Sequence, residues 1–317
     1  MDKYAVQSVL AGSKKKGIYS MKAEWKKNWL LYSMFLPVAV YYLLFAYKPM
    51  YGALIAFQDY EPMKGMAGSE WVGLHHFIEF FTNYYFWRIL KNTVVISVSS
   101  IVFGFPAPII LALLLNEITS SKFKRTVQTV SYIPHFISMV VICGMIKVFT
   151  ADNGIIMDLL CFFGVPRQPL LSNASAFVPI YIVSDIWQGI GWGSIIYLAA
   201  LTNIDQSLYE AATIDGANRW RQTLHVTLPG IAPTIIIMLI LRLGSILGVG
   251  YEKIILLYSP LTYETADVIS SFVYRKGLQE FNWSYSTAVG LFNSVVNFAF
   301  LALANTISRR LGDTSLW

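Results

Sequence analysis

The sequence predicts an all-α integral membrane protein with six transmembrane helices and both termini in the cytoplasm. Three observations support this prediction: the composition, six long apolar runs and the positions of the basic residues. Hydrophobic residues make up 56% of the 317-residue chain, and charged residues make up only 13%. Because soluble domains usually carry about 25% charged residues, lipid rather than water is the expected solvent for much of this surface.

The six apolar runs are long enough to cross a bilayer, which takes about 20 mostly apolar residues in a helix. Together they define one membrane domain over 29–307, between an N-terminal tail over 1–28 and a C-terminal tail over 308–317. The first run is too long for the apolar core of a signal peptide, so no cleavable signal peptide is expected. The runs occupy residues 29–47, 92–115, 127–149, 176–201, 233–249 and 283–307.

The basic residues set the expected orientation, because cytoplasmic loops carry an excess of Lys and Arg. One side of the membrane collects the seven lysines before residue 28, the basic turn over 122–125, Arg219 with Arg221, and the pair at 309–310. The loops on the other side are longer and poorer in basic residues. Since these residues flank apolar runs and form no basic face, the net charge of +6 indicates topology and not nucleic-acid binding.

A polar segment over 205–229 separates the fourth and fifth runs and is expected in the cytoplasm. Asp205 is a good N-cap for a short helix. Ala211 and Ala212 give that helix a surface with almost no side chain, which another protein can approach closely. Gly216 can adopt a positive φ and end the helix.

A second helix is expected from Asn218 to about His225, with Pro229 ending it before the next span. From the residues alone, two interpretations of the segment stay open. It is either a docking element for a cytoplasmic protein or an amphipathic loop that rests on lipid headgroups.

The spacing within 210–229 resembles the EAA motif of importer-type ABC transporter permeases. The pattern is Glu-Ala-Ala, three residues, Gly, nine residues, an aliphatic residue, one residue and Leu-Pro, with Val226 where the family usually has Ile. The segments FKRTVQTVSYIPHFIS and RLGSILGVGYEKIILLYSPLTYETADVIS are similar to carbohydrate-uptake permeases for polysaccharide fragments, such as alginate or pectin-derived oligosaccharides. The likeness covers residues 29–310 and implies the importer-type ABC permease fold.

The resemblance implies that this segment is the coupling helix, which sits in a cleft of one subunit of a cytoplasmic ATPase dimer. Glu210 would then pair with a basic residue of the ATPase. The residues that the motif assigns to ATPase coupling are Glu210, Ala211, Ala212, Gly216, Leu228 and Pro229.

The other partners implied are a second homologous permease subunit, an extracytoplasmic solute-binding protein and an oligosaccharide substrate, all within or at a bacterial cytoplasmic membrane. No Walker A sequence occurs in the chain. We therefore expect ATP and Mg²⁺ in the partner ATPase, with no cofactor or metal bound by this chain and no enzymatic activity of its own.

Polar side chains inside spans are costly and usually face the bundle interior, so the two runs beside the polar segment are the expected substrate path. Aromatic rings there would stack on a sugar while polar groups bind its hydroxyls, and Arg242 could bind a uronate carboxylate through two parallel hydrogen bonds. Each set is spaced along one helix face: Tyr181, Asp185, Gln188 and Trp192 in the fourth run, and Arg242, Ser245 and Val249 in the fifth.

Several alternatives stay open at this point. Asp185 and Arg242 would neutralise each other if they paired, and Gly189, Gly191 and Gly193 would serve either close helix packing or the shaping of a cavity. A stand-alone secondary transporter or channel would need inverted repeats or coupled ionisable groups at mid-membrane, and no clear repeat is seen. An intramembrane enzyme would need a Ser/His or His/Asp set at usable spacing, which the spans lack.

Overall fold

The computed structural model describes residues 21–311. Residues 1–20 of the predicted N-terminal tail and residues 312–317 of the predicted C-terminal tail lie outside the described residues. The chain divides into two compact units, one that ends at Leu54 and one that begins at Ile55.

The first unit contains a long apolar helix. Helix α1 (Met21–Tyr42) continues through a π-helical turn (Leu43–Tyr47) and a short α-helical turn (Lys48–Met50) into a 3₁₀ segment (Tyr51–Phe57). The stretch Asn28–Phe57 is long and apolar enough to cross a membrane. It contains the first predicted span.

The second unit is also largely helical. Two-residue strands β1 (Gln58–Asp59) and β2 (Glu70–Trp71) pair antiparallel, with Gln58 opposite Trp71. The main helices, in chain order, are α2 (His75–Thr82), α3 (Phe86–Ser99), α4 (Pro106–Glu117), α5 (Ser121–Tyr132), α6 (Met139–Phe149), α7 (Ile155–Phe162), α8 (Ala174–Leu201), α9 (Gln206–Ile214), α10 (Arg219–Gln222), α11 (Leu228–Leu243), α12 (Tyr251–Leu257), α13 (Ile269–Tyr274) and α14 (Trp283–Leu311).

Shorter turns connect these helices. They are α-helical turns at Gly65–Gly68 and Tyr263–Ala266, 3₁₀ turns at Ile133–Phe136, Leu170–Ser172 and Pro260–Thr262, and π-helical turns at Ser100–Gly104, Thr223–Thr227 and Arg275–Gln279.

Four stretches among the described residues are long and apolar enough to cross a membrane as single helices, and a bent pair of helices makes a fifth candidate. Helix α8, with 28 residues, has the length but is too polar to be counted with them. The count of six spans therefore stays a prediction. The four stretches are Asn28–Phe57, Phe86–Glu117, Arg219–Leu243 and Trp283–Arg310.

The third predicted span, over 127–149, is not one straight helix. Its two parts meet at an angle of 102°. Pro134 lies in the 3₁₀ turn at the break, where its missing N–H and its ring disfavour a continuing α-helix. Ser138 then caps the new helix by accepting a hydrogen bond from the Val141 N–H at 3.4 Å.

The second helix predicted in the polar segment and the fifth span form one continuous helical stretch, so the expected break at Pro229 is wrong. The stretch runs over Arg219–Leu243 and includes the π-helical turn Thr223–Thr227. Pro229 follows this turn, in the first turn of α11, where its missing N–H is least costly. The wider π turn accommodates the proline without ending the helix.

The fifth span also ends earlier than predicted, at Leu243 instead of residue 249. Gly244 caps it, and the following segment contains further glycines, which have low helix propensity. Ser245 and Val249 therefore do not share a helix face with Arg242, contrary to the prediction.

Helix α8 lies at the centre of the second unit and packs against α4, α5 and α11. Two of its glycines allow these close contacts. A Cβ atom added at Gly191 would lie 2.1 Å from the Ser131 carbonyl oxygen, and one at Gly193 would lie 2.9 Å from the Pro108 ring. Both glycines therefore serve close packing, as in other membrane helices where small residues let backbones approach, and Gly193 also lines a cavity between α4, α8 and α11.

Candidate functional site

A cavity of about 360 Å³ opens between α3, α8 and the segment that follows α11. Both substrate-path runs contribute to its wall, although Ser245 and Val249 reach it from the turn after α11 and not from a helix face. Five of the seven predicted substrate-path residues line it: Tyr181, Asp185, Arg242, Ser245 and Val249.

A second cavity, of about 340 Å³, lies between α4, α8 and α11. It shares four polar residues with the first cavity, namely Ser100, Asp185, Arg242 and Ser245. Gly189 lines it, and no atom lies within 4 Å of the place that a Cβ would occupy there. The two cavities therefore meet at these four residues, which we call the polar junction. Gly189 leaves space in the second cavity beside this junction.

Gln188 and Trp192 line neither cavity. The Trp192 ring stacks on the His135 ring, with centroids 4.6 Å apart, and packs edge-on against Phe136. Trp192 lies on the same face of α8 as Asp185, as predicted. At the position of Trp192, however, this face packs against the break between α5 and α6 and not against a cavity. The roles of Gln188 and Trp192 in a substrate path stay a prediction.

The hypothesis that Asp185 pairs with Arg242 is wrong. The Asp185 carboxylate instead lies 3.4 Å from the ammonium of Lys253 on α12. One Nη atom of Arg242 donates a hydrogen bond to the hydroxyl of Ser100. Within residues 28–310, Arg242 forms no ion pair.

Lys253 is the principal site residue that the sequence interpretation missed. Its side chain is 2% exposed, its ammonium donates to the Tyr181 carbonyl at 3.2 Å, and it lies 4.7 Å from the centre of the Tyr181 ring. The sequence places it in a loop, but a single lysine followed by Ile-Ile-Leu-Leu is the feature that could have revealed it. A cation on a short apolar helix that packs into the core needs a carboxylate partner.

Helix α9 has the start and the end that the sequence predicts. The Asp205 carboxylate accepts a hydrogen bond from the Ser207 N–H at 2.9 Å. Hydrogen bonds from the backbone and the side chain of Ser207 hold the pKa of the Asp205 carboxyl below its usual range. Gly216 has a φ of +75°, and the Ala217 N–H donates to the Ala212 carbonyl at 2.9 Å, which is the pattern of a Schellman motif.

The motif residues of α9 are open to solvent. Glu210 and Ala211 are exposed, Ala212 is half-buried, and among the described residues the Glu210 side chain makes no hydrogen bond or ion pair. Large apolar side chains near them are also exposed, at 87% for Ile214 and 69% for Trp220. Leu228 is half-buried and Pro229 is exposed. This surface has the small, apolar and acidic groups that a docking site for another protein needs.

Two contacts join α9 to the stretch Arg219–Leu243, and a third joins that stretch to α4. The hydroxyls of Tyr209 and Thr227 lie 3.0 Å apart. The Gln222 amide donates to the Thr213 hydroxyl at 3.0 Å. Arg219, in turn, pairs with Glu117 at the end of α4 at 2.9 Å. A movement of α9 would therefore be transmitted to the helix that carries Arg242 near its other end.

Comparisons with known proteins agree with this geometry. The profile of the family described as "Binding-protein-dependent transport system inner membrane component" matches residues 104–313. The chain is 46% identical over 288 residues to the polygalacturonan/rhamnogalacturonan transport system permease protein YteP of Bacillus subtilis (strain 168), and the match covers 90% of each chain. It is 44% identical over 303 residues to protein LplB of the same organism, with 95% of each chain covered.

Two solved structures are similar over most of the chain. One is a bacterial ABC transporter involved in the import of the acidic polysaccharide alginate, with a TM-score of 0.85, 45% identity, and coverage of 92% of this chain and 99% of that chain. The other is a bacterial alginate ABC transporter in complex with an alginate pentasaccharide-bound periplasmic protein, with the same TM-score and identity and 98% of that chain covered. These similarities confirm the importer-permease fold and a location in the cytoplasmic membrane of bacteria. The chain belongs to the family of inner membrane components of binding-protein-dependent transport systems.

Proposed function

We propose that this chain is one membrane subunit of an ABC importer that moves acidic oligosaccharides, such as uronate-containing fragments, into the cell. The observation that carries the proposal is the position of Arg242, whose guanidinium lines both cavities and is paired with no carboxylate among the described residues. A guanidinium binds a planar carboxylate through two parallel hydrogen bonds. The similarity to permeases for alginate and for polygalacturonan supports the same substrate class.

The polar junction between the two cavities supplies groups that suit a sugar. The hydroxyls of Ser100 and Ser245 can exchange hydrogen bonds with sugar hydroxyls, and the first cavity includes the half-exposed ring of Tyr251. Tyr181 is less suitable as the stacking ring because it is buried and its face lies against the Lys253 ammonium. We assign sugar stacking to Tyr251.

The energy for transport comes, in this proposal, from ATP and Mg²⁺ bound by a cytoplasmic ATPase dimer that docks on α9. Glu210 would pair with a basic residue of the ATPase, and the small side chains of Ala211 and Ala212 would allow close contact. Motion of α9 then reaches Arg242 through the stretch Arg219–Leu243, which is roughly 35 Å long at 1.5 Å per residue.

Two further partners complete the importer. A second homologous permease subunit would form the other wall of the path. An extracytoplasmic solute-binding protein would deliver the oligosaccharide, which the similar structure supports because it contains an alginate pentasaccharide-bound periplasmic protein in complex with the transporter. The alternative of a stand-alone secondary transporter or channel does not agree with membership of a binding-protein-dependent family.

The proposal is tested by purifying the chain with the subunits that accompany it and measuring uptake into proteoliposomes. We expect ATP-dependent uptake of trigalacturonate that requires the binding protein. We expect the Arg242→Gln variant to lose most of this uptake and Arg242→Lys to retain part of it, because a lysine keeps the charge but not the paired donors. Uptake by this chain alone without ATP, or an Arg242→Gln variant with normal uptake, would contradict the proposal.

A further inference from the structure

Asp185 and Arg242 line the same two cavities and carry opposite charges, yet they do not pair. The Asp185 carboxylate is held by Lys253, which reaches it from α12. We infer that Lys253 is a positioning residue for substrate selectivity, because its hold on Asp185 keeps the Arg242 guanidinium available for the carboxylate of an acidic sugar. The inference rests on the proposed function and concerns how the same path distinguishes acidic from neutral oligosaccharides.

Lys253 is fixed in place by its surroundings. Its 2% exposed side chain carries an ammonium with three N–H donors, two of which reach the Tyr181 carbonyl and the Asp185 carboxylate. The ring of Tyr181 covers it on another side, at 4.7 Å. A buried ammonium is strongly unfavourable without such partners, so Lys253 is expected to stay on Asp185 whenever α12 and α8 are packed together.

The charged side chains around the first cavity show how the ion pair between Lys253 and Asp185 affects Arg242. Four charged side chains line it: Asp185, Arg242, Glu252 and Lys253. The charges of Asp185 and Lys253 offset each other at 3.4 Å. Glu252 is exposed in the first turn of α12 and forms no ion pair with Arg242 within the part of the chain that the structure describes. The Ser100 hydroxyl, which accepts a hydrogen bond from Arg242, is neutral. The positive charge of Arg242 is therefore not offset by this contact.

Removal of the Lys253 ammonium would change this balance. The Asp185 side chain is 39% exposed, so it would remain a solvated carboxylate beside the cavity that Arg242 lines. Opposite charges at a partly desolvated site attract each other more strongly than in water. Asp185 would then compete with the substrate for the guanidinium and repel the substrate carboxylate. A neutral sugar has no carboxylate, so neither this competition nor this repulsion would affect its binding.

The experiment uses the complete transporter, purified with its partner subunits and held in nanodiscs. Equilibrium binding is measured for trigalacturonate and for its fully methyl-esterified form, which has the same backbone without the charges. The unmodified transporter should prefer the acid. We expect Lys253→Met to lower this preference about tenfold, since a hydrogen bond to a charged group contributes on that order, while affinity for the ester stays the same.

A second substitution separates positioning from a merely structural role. In the Lys253→Met/Asp185→Asn double variant the Asp185 carboxylate no longer competes for Arg242, so the preference for the acid should return. The inference is overturned if Lys253→Met weakens binding of both probes equally, or if the double variant does not regain the preference. The unmodified transporter tests the proposed function separately, because failure to bind either probe would overturn the substrate class itself together with this inference.

Discussion

The hydroxyl of Tyr209 on α9 lies 3.0 Å from the hydroxyl of Thr227, which belongs to the π-helical turn of the stretch Arg219–Leu243. This contact joins the exposed motif helix to the helix that carries Arg242. Thr227 is 3% exposed, so the contact is shielded from water. It is therefore a direct mechanical connection between the proposed ATPase docking site and the proposed substrate path.

The Tyr209→Phe substitution tests this connection, since it removes one hydroxyl and keeps the ring. A neutral hydrogen bond contributes about 1 kcal/mol, so we expect about a fivefold loss in oligosaccharide uptake per ATP hydrolysed. The measurement is uptake and ATP hydrolysis in the same proteoliposomes. Tyr84→Phe is the control, because Tyr84 is 89% exposed and far from α9 in sequence. Equal coupling ratios for the two variants would show that the contact transmits nothing.

Glu210→Lys reverses the charge at the centre of the exposed motif surface. Its side chain has no partner among the described residues, so the fold of this chain should tolerate the change. We expect uptake to fall by about tenfold or more, within the range of typical coupling free energies, while the purified chain keeps its thermal stability. The conservative Glu210→Gln variant should lose less. Normal ATP-coupled uptake by Glu210→Lys would count heavily against the docking role.

Gly216→Val tests the turn that ends α9. The φ of +75° at Gly216 is unfavourable for a residue with a Cβ and more so for a β-branched one. We expect a cost of about 1–2 kcal/mol in local stability and weaker binding of the ATPase in pull-down experiments. Gly144→Ala is the matched control, because Gly144 lies within helix α6 with no atom within 4 Å of an added Cβ. If Gly216→Val binds the ATPase as well as Gly144→Ala does, the turn is not needed for docking.

The features that the sequence predicted correctly are those determined by nearby residues. The cap at Asp205 and the glycine turn at Gly216 depend on hydrogen bonds between residues at most five positions apart. The EAA spacing is local in the same sense. The helix formed by the fourth run begins and ends within two residues of its predicted limits, and its start is set locally by Asn173, whose side chain accepts a hydrogen bond from the Ser175 N–H.

The features that were missed depend on residues far apart in the chain. Lys253 reaches Asp185 across 68 positions and Ser100 reaches Arg242 across 142 positions, so no short pattern contains either pair. The fifth span is predicted to extend past Leu243 when only hydrophobicity is considered. The residues after Leu243 are apolar, but they are also rich in glycine. Tertiary packing, and not local preference, decides these contacts.

Gly189 and Gly191 lie two positions apart on α8 but have different surroundings. Alanine substitutions at the two positions should therefore affect the thermal stability of the chain differently. Gly191→Ala would place a Cβ 2.1 Å from the Ser131 carbonyl oxygen, whereas no atom lies within 4 Å of a Cβ at Gly189. We expect Gly191→Ala to cost about 1–3 kcal/mol through overpacking, measured as a lower thermal transition of the purified chain.

Gly189→Ala should leave the thermal transition unchanged and serves as the control for Gly191→Ala. Gly189→Phe should fill part of the second cavity and reduce uptake without unfolding the chain. A Gly189→Phe variant with full uptake would show that the substrate does not pass through this cavity.

Asp267 forms a buried cluster with two arginines, and its substitution tests what holds the segment after α12 in place. Its carboxylate is fully buried, lies 2.6 Å from Arg275 and 3.7 Å from Arg88, and accepts a hydrogen bond from the Ser271 hydroxyl at 2.9 Å. Asp267→Asn would keep the shape but leave two cations without their common anion.

Removing one partner of a buried ion pair typically costs about 3–5 kcal/mol, so we expect Asp267→Asn to lower the thermal transition clearly. Asp158→Asn is the matched control, because Asp158 pairs with Arg167 at the same distance of 2.6 Å but both side chains are more than half exposed. Exposed pairs contribute little to stability. Similar small effects of the two substitutions would contradict the prediction, since burial, and not the distance between the charged atoms, is the property that distinguishes the two pairs.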